Sequence, residues 1–509
     1  MLAPCQQALL RAGALLFGLP LLGCLPPDSQ WPSATVPGSP PQLRVAAEWE
    51  PALGVMVSWP PFVPHQLLIE ISRDSRLYVL AENAGEVEEA QVWLRGWGID
   101  LERVEFLEVP GGDDAAWTRD WGPHPVFTAN GELHLADARY DQSTPDSSLD
   151  CDAPLRTPWN GGWGEDFKDY DIKLDDKAPT AIANALGLEA LEVPFVLTGG
   201  NFMTDGRGTA LSSCILTNEN RRNGVADEQF FAQAKRLLGL ERYAIVPNFE
   251  DGGIQHVDCL LKLLDDERIL LARPPAEHPL FDRYEAFAAE VLPALKTADG
   301  GTFEVLRIDT APYRGESLAA YTNSLVLNDV VYVPLFGIDQ DQVALAQWQA
   351  ALPGHRIKGF PFVLADEPYL ADMARRMYGE IGWRNFDALH CRTRAVWDPK
   401  MLHIEVERVP GKVRGSAGHR VGARIVAYSG QPLLRDRLVV RWRLQGSTGW
   451  SESRLERRAD GRFEARIAEG IAAGPIEYFL MAADASGRVE SAPRTAPQAL
   501  LRFKIAGDA

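Results

Sequence analysis

His256-Val257-Asp258 sets an imidazole and a carboxylate two residues apart, between the glycine pair Gly252-Gly253 and the apolar run Cys259-Leu260-Leu261. The run reads as a strand, and on a strand residues i and i+2 share a face. A histidine beside an aspartate can pass a proton and hold a cation. The same spacing also suits an ordinary structural pair. A second reactive side chain is the thiol of Cys391, next to His390. A thiolate attacks electrophilic carbon, so thiol, imidazole and carboxylate together would suit covalent catalysis. If 390 and 391 lie on a strand, His390 points away from Cys391 and is structural.

Three further stretches could supply the rest of a site. Trp117-Thr118-Arg119-Asp120-Trp121-Gly122-Pro123 sets an aspartate before a Gly-Pro turn, between aromatics. Thr198-Gly199-Gly200-Asn201-Phe202-Met203 is a glycine turn where backbone could approach a ligand closely. Tyr321-Thr322-Asn323-Ser324 precedes an apolar strand. Each alone also fits a turn, a cap or a packed core residue.

The elements that would carry these stretches alternate between β and α from about 43 to 400. Strands are expected over Gly54–Trp59, Leu77–Leu80, Val104–Val109, Leu191–Leu197, Ala210–Thr217, Ile269–Arg273, Leu325–Leu327 and Val330–Leu335. Helices are expected over Gln66–Ser72, Val87–Trp97, Glu228–Leu238, Leu280–Lys296, Gln342–Leu352 and Tyr369–Gly379. Several strand pairs lack an intervening helix, so strand–strand–helix–strand units fit better than a doubly wound sheet. Residues 140–176 form a polar, acidic insertion that reads as a long loop. Its carboxylates do not follow EF-hand spacing. From 401 to 509 short strands follow turn signals such as Asp460-Gly461 and Ser486-Gly487, which suits a small β-sandwich of immunoglobulin-like size.

The 509 residues carry a net charge of −19, with 24% charged and 46% hydrophobic. Nucleic-acid binding needs clustered Lys and Arg and is not expected. Residues 1–24 read as an export signal: Arg11 precedes an apolar run that ends Leu21-Leu22-Gly23-Cys24, similar to a lipobox whose cysteine is lipidated. Residues 25–42 are rich in Pro and Ser and read as a tether. Cys151, Cys214, Cys259 and Cys391 remain, without the spacing of a zinc site or a dense disulfide framework. Cys214 and Cys259 read as buried small hydrophobes.

In chain order the motifs W-T-R-D-W-G-P, T-G-G-N-F-M, H-V-D-C, Y-T-N-S-L-V-L-N and D-A-L-H-C-R-T resemble those of the bacterial peptidylarginine deiminases and agmatine deiminases. These families lie within the guanidine-modifying superfamily, and the similarity is closest to the secreted bacterial peptidylarginine deiminase. It runs from Ala47-Glu48-Trp49-Glu50-Pro51 to near the C-terminus. The resemblance implies a five-bladed α/β propeller of ββαβ units (pentein type), here over 43–400, then the immunoglobulin-like sandwich. It implies Cys391 as nucleophile, His256 as general acid and base, and Asp120 and Asp258 as the carboxylates that grip a guanidinium. Asn323 shapes the site beside the thiol, and Trp117, Gly200 and Asn201 line the substrate. Glu48 and Trp49 mark the first strand and are structural.

No metal or cofactor is implied, since the substrate cation is itself the electrophile. The substrate would be peptidyl-arginine or an arginine-like guanidine, giving citrulline and ammonia. Agmatine, giving N-carbamoylputrescine, is the alternative, and a non-catalytic surface binding protein on the same scaffold is another. The family's secreted member holds a substrate carboxylate with arginines after the first aspartate motif. The stretch Tyr140-Asp141-Gln142-Ser143-Thr144-Pro145 has none, which leaves the choice of guanidine open.

Overall fold

A computed structural model describes residues 43–109, 116–141, 144–145, 151–152, 155–156, 175–247, 254–367, 369–370 and 382–507. Cys24 and its signal, the 25–42 tether, most of the 140–176 insertion and the helix expected over Tyr369–Gly379, its first two residues apart, lie outside the described residues.

Among the described residues from Arg44 to Trp397, five sheets of three or four strands share one plan, and two two-stranded ribbons, Thr144–Pro145 with Leu155–Arg156 and Pro312–Arg314 with Ser317–Leu318, lie beside them. A strand pairs antiparallel on one side and parallel on the other. Thr209–Ser213 does so with Met203–Thr204 and Arg242–Val246. Arg268–Arg273 takes Leu261–Leu263 and Glu304–Asp309, and Val330–Leu335 takes Leu325–Leu327 and Arg356–Pro361. Leu133–Arg139 lies between His124–Phe127 and Glu189–Val196, with Arg44–Val45 added outside His124–Phe127. The fifth sheet takes its antiparallel strand from far along the chain. Arg394–Trp397 pairs with Ala52–Ser58, which runs parallel to Arg76–Ala81.

Parallel neighbours cannot be joined by a tight hairpin, so each parallel pair is spanned by a helix. These are His65–Asp74, Ala178–Ala185, Asp227–Leu238, Phe281–Ala286 and Gln340–Ala351. Four of the antiparallel pairs are joined by short connections. Leu327 faces Val330 across Asn328, whose φ of 55° is one that asparagine tolerates better than most residues. The Asn328 amide also bonds both backbone groups of Ala52 at 3.0 Å, tying this hairpin to the fifth sheet.

Two expected elements break where the physical signal was ambiguous. The run Ala210–Thr217 is strand only over Thr209–Ser213, and Ile215–Arg222 is helix. A short apolar run has no periodicity that separates the two. Cys214, at the junction, is not a mere small hydrophobe: it is disulfide-bonded to Cys151. The single helix expected over Leu280–Lys296 divides into an α-turn, a π-turn and a final 3-10 turn, Leu292–Ala294. Pro293 lies in that last turn, where its ring removes an N–H donor.

From Leu402 onward the described elements are strands and one 3-10 turn. Leu402–Glu407, His419–Ala427, Phe463–Ile467 and Glu456–Arg457 form one sheet. The other is built on Gly474–Ala483, flanked by Val439–Leu444 and Leu501–Ala506. Leu501, Phe503 and Ile505 are buried and Arg502 and Lys504 exposed, the period of two for a half-covered sheet. Val421, Ile467, Leu480 and Phe503 share the core between the sheets. Polar contacts join this region to the five sheets: Arg44 bonds Glu50 at 2.7 and 2.9 Å and the Tyr428 hydroxyl at 2.8 Å. Arg408 reaches Asp266 and Glu267, and Arg207 reaches Glu405. Among the described residues, no helix is long and apolar enough to cross a membrane.

Candidate active site

Five loops at strand ends bring the chemistry together. Asp120 sits on a single helical turn, Thr118–Trp121, and Gly200 on a 3-10 turn, Gly199–Asn201. His256 and Asp258 do not lie on a strand. His256 caps the 3-10 turn Val257–Cys259, and the strand begins only at Leu261. Asn323 lies before Leu325–Leu327, and Cys391 in the turns before Arg394–Trp397.

The focus is Gly200. A methyl group on its α-carbon would lie 2.5 Å from Asp120 Oδ1, 2.9 Å from His256 Nδ1 and 3.1 Å from Asp258 Oδ2. One carboxylate oxygen from each aspartate and the imidazole thus converge on one point, which a side chain at 200 would fill. The Gly200 N–H donates to Asp120 Oδ1 at 2.9 Å and orients it. Cys391 Sγ is 3.6 Å from Asp258 Oδ2. Asn323 holds the Cys391 loop: its Oδ1 accepts from the N–H groups of His390 (2.9 Å) and Cys391 (3.3 Å), and its Nδ2 is 3.2 Å from Cys391 Sγ.

The other sequence-derived positions fall behind this point. Asn201 is fully buried, and its Oδ1 accepts from Ser213 N–H at 3.0 Å and Val257 N–H at 3.3 Å. It fixes the turn between His256 and Asp258. Trp117 packs in the core, and its carbonyl accepts the Asp120 N–H at 2.9 Å. Arg394 is buried, and donates to the carbonyls of Arg119 (2.6 Å) and Pro123 (3.1 Å), which brackets the Asp120 loop. The first and sixth residues of Asp387-Ala388-Leu389-His390-Cys391-Arg392 close that loop, with Asp387 and Arg392 paired twice at 2.9 Å.

His390 and Glu48, read from the sequence as structural, stand beside the aspartate. The turns at 390–391 are not a strand, so His390 does not point away: its Nδ1 is 2.8 Å from Asp258 Oδ2 and its Nε2 2.7 Å from Glu48 Oε2. Glu48 also receives Lys262 Nζ at 2.8 Å. Lys262 is 1% exposed. Its signal was present in the sequence, as a lone charge inside Leu260-Leu261-Lys262-Leu263-Leu264. Glu48 carried no such signal.

Burial and charge set the protonation states. Burial pushes the Cys391 thiol up to about 12, a hydrogen bond with Cys259 opposes this, and the charges of Asp258 and Asp120 add to the rise. Burial pushes the His256 imidazole down, but the carboxylates of Asp120 and Asp258 outweigh it and hold it above its usual value. His256 Nδ1 is 3.6 Å from Asp120 Oδ1, beyond hydrogen-bond reach, and takes no hydrogen bond among the described residues. Burial raises the Asp258 carboxyl, yet His390, His256 and Lys262 hold it below the ordinary range. Donor atoms of Asp258, Cys259 and Cys391 lie within 4.8 Å of one another, a spacing a cation could use. Asn323 Nδ2 points a hydrogen-bond donor at both sulfurs, at 3.2 and 3.5 Å, which opposes a cation there.

An imidazole and two carboxylates around one point, with a thiol beside one of the carboxylates, is an arrangement able to hold a cation and to attack carbon. The family described as Porphyromonas-type peptidyl-arginine deiminase matches residues 44–363. A Vibrio parahaemolyticus protein provisionally named agmatine deiminase is 25% identical over 348 residues, covering 62% of this chain and 90% of its own length. A Legionella pneumophila protein with the same provisional name is 25% identical over 339 residues, 61% of this chain and 87% of its own. Among solved structures, a Porphyromonas gingivalis protein provisionally named arginine deiminase superposes with a TM-score of 0.51 at 21% identity, covering 70% of this chain and 99% of its own. The agmatine deiminase of Enterococcus faecalis gives 0.51 at 20% identity, over 72% and 100%.

The fold is thus the many-sheeted mixed α/β fold of the pentein-type deiminases. The chain belongs to the Porphyromonas-type peptidyl-arginine deiminase family, and is a hydrolase acting on C–N bonds of linear amidines.

Proposed function

We propose that this protein deiminates peptidyl-arginine or an arginine-like guanidine to the ureido product and ammonia, through a covalent bond to Cys391. The convergence of Asp120, His256 and Asp258 over Gly200, with Cys391 Sγ 3.6 Å from Asp258, carries this reading. The family match ends before Cys391, so the nucleophile's assignment rests on its resemblance motif and this geometry.

A guanidinium offers paired N–H donors in a plane, and two carboxylates can grip it and fix its carbon. Each charge-assisted hydrogen bond is worth about 1.5–3 kcal/mol. The bound cation offsets the two carboxylate charges that help hold the proton on Cys391, and so favours thiolate. The Cys391 proton leaves to solvent as the cation binds, and the thiolate sulfur then adds to the guanidinium carbon. His256, whose charged form the carboxylates of Asp120 and Asp258 favour, protonates the departing nitrogen, and ammonia leaves. The S-alkylthiouronium takes up a water that His256 deprotonates, and the C–S bond breaks to release the ureido product.

Agmatine is the second reading, favoured by the names of the Vibrio and Legionella relatives. A citrulline colour assay on benzoyl-arginine amide, a peptide with terminal arginine, free arginine and agmatine separates the substrates. No ureido product from any of them would replace the enzyme by a surface binding protein on this scaffold.

The five sheet units are read as the blades of a five-bladed propeller with Cys391 at its hub. Residues 43–400 would form the catalytic domain and 401–509 an immunoglobulin-like domain. Export through residues 1–24, with a membrane tether at lipidated Cys24, completes the proposal. The Cys151–Cys214 disulfide supports it, because such bonds persist in oxidising compartments. Fatty-acid labelling of the whole chain, expected to be lost in Cys24→Ala, tests the tether.

A further inference from the structure

We propose that His390 is a positioning residue for the guanidinium clamp, standing as an imidazolium that locks Asp258 and links it to Glu48 and Lys262. The role in the clamp rests on the deiminase reading; the protonation state does not.

Both ring nitrogens face carboxylate oxygens, Nδ1 to Asp258 Oδ2 at 2.8 Å and Nε2 to Glu48 Oε2 at 2.7 Å. An ionised carboxylate only accepts hydrogen bonds, and a neutral imidazole has one N–H to give. Satisfying both contacts therefore takes both ring protons. The alternative is a protonated carboxyl at one end, and the surroundings of both ends oppose it. Glu48 also receives Lys262 Nζ at 2.8 Å and the Val326 N–H at 3.0 Å, and has Arg119 at 3.9 Å. Asp258 receives the Cys391 and Cys259 thiols at 3.6 and 3.5 Å. Burial raises both carboxyls, but apart from His390 itself the charges of Lys262 and Arg119 lower Glu48, and those of His256 and Lys262 lower Asp258.

Charges therefore alternate along a buried path: Asp258, His390, Glu48, Lys262, with Lys262 ending on the Ser324 carbonyl at 2.8 Å. His390 is 2% exposed and Asp258 0%. An ion pair this dry is held in one geometry, because rotating either group strands a buried charge. The result is an Asp258 carboxylate that cannot turn about its bond to the β-carbon. Its Oδ2 stays aimed at the point above Gly200 before substrate arrives. His390 Nδ1 bonds Asp258 Oδ2, the same oxygen that lies 3.6 Å from Cys391 Sγ, so His390 acts through Asp258.

Neutron diffraction from crystals of the wild-type chain, exchanged into deuterated buffer at neutral pH, tests the protonation state without a variant. Deuterium on both Nδ1 and Nε2 of His390 is expected, and a bare ring nitrogen would overturn the proposal. The positioning role is tested by His390→Gln and His390→Leu. Misplacement on this scale costs up to about 100-fold. His390→Gln, which keeps one donor, should lose about tenfold in kcat/KM mainly through KM, and His390→Leu about 100-fold. Equal losses in both variants, or none, would overturn the role. A wild type that turns over no guanidine while carrying both deuterons would sink the deiminase reading and leave the imidazolium standing.

Discussion

At the scale of the residue, the proposed mechanism makes Cys391 a thiol that ionises only when a cation binds beside it. Its value of about 12 means that the empty site holds very little thiolate at neutral pH. Alkylation by iodoacetamide should therefore be slow at pH 7 and rise about tenfold per pH unit to pH 10 without a plateau. A plateau near pH 8 would show an ordinary thiol. His256 works in the opposite direction. Its imidazole is held above 6.5, so its charged form survives past that pH and is lost as pH rises. The alkaline limb of kcat/KM should thus fall above pH 6.5, and a limb below it would deny His256 the role of acid. Gly200→Ala is the sharpest steric test. The added methyl lands 2.5 Å from Asp120 Oδ1, in the space the guanidinium needs. Activity should drop at least about 100-fold, while the thermal melt keeps its cooperativity.

At the scale of the element, the site is a set of turns, and turns are where sequence patterns say least. The grouping of Asp120, His256, Asp258, Asn323 and Cys391 was legible because each sits in a compact motif, and the structure brings them together. The shape of those motifs was not. His256 and Asp258 were read as strand neighbours from three apolar residues after Asp258, too few to distinguish strand from 3-10 turn. The same strand reading turned His390 away from the site, whereas the structure sets it on Asp258. Partners 132 and 342 residues away in the chain, Asp258 and Glu48, leave no local pattern to read. The loop around Cys391 is itself braced by Asp387 and Arg392, and Arg392 is 1% exposed. Asp387→Asn would remove the carboxylate that pairs with a buried guanidinium. It should cost about 3–5 kcal/mol in urea unfolding. A loss under 1 kcal/mol would mean the pair is not what closes the loop.

At the scale of the whole molecule, the alternation of strands and helices was visible, and the joining of its ends was not. Arg394–Trp397 pairs with Ala52–Ser58 across more than 300 residues, a contact with no sequence signature. The Cys151–Cys214 disulfide was missed for a related reason: four scattered cysteines without spacing do not announce a pair. Its sequence separation of 63 residues makes it worth about 4 kcal/mol by loop-closure entropy. Cys151→Ser should lower the unfolding free energy toward that amount, and an unchanged melt would show that the crosslink constrains nothing. The strands after Leu402 are joined to the site region through Arg44, which bonds both Tyr428 and Glu50, while the Ala47 N–H donates to Glu50 next to Glu48. That chain of contacts gives the C-terminal strands a structural hold on the loop carrying Glu48.

The account's central claim is a covalent bond between Cys391 and the guanidinium carbon. Acid-quenching the enzyme during turnover of an arginine substrate, followed by peptide mass mapping, tests it directly. The peptide bearing Cys391 should carry a mass gain equal to the substrate less ammonia, absent in Cys391→Ala, which releases no ureido product. Ureido product formed at full rate by Cys391→Ala, or an adduct carried by another residue, would contradict it.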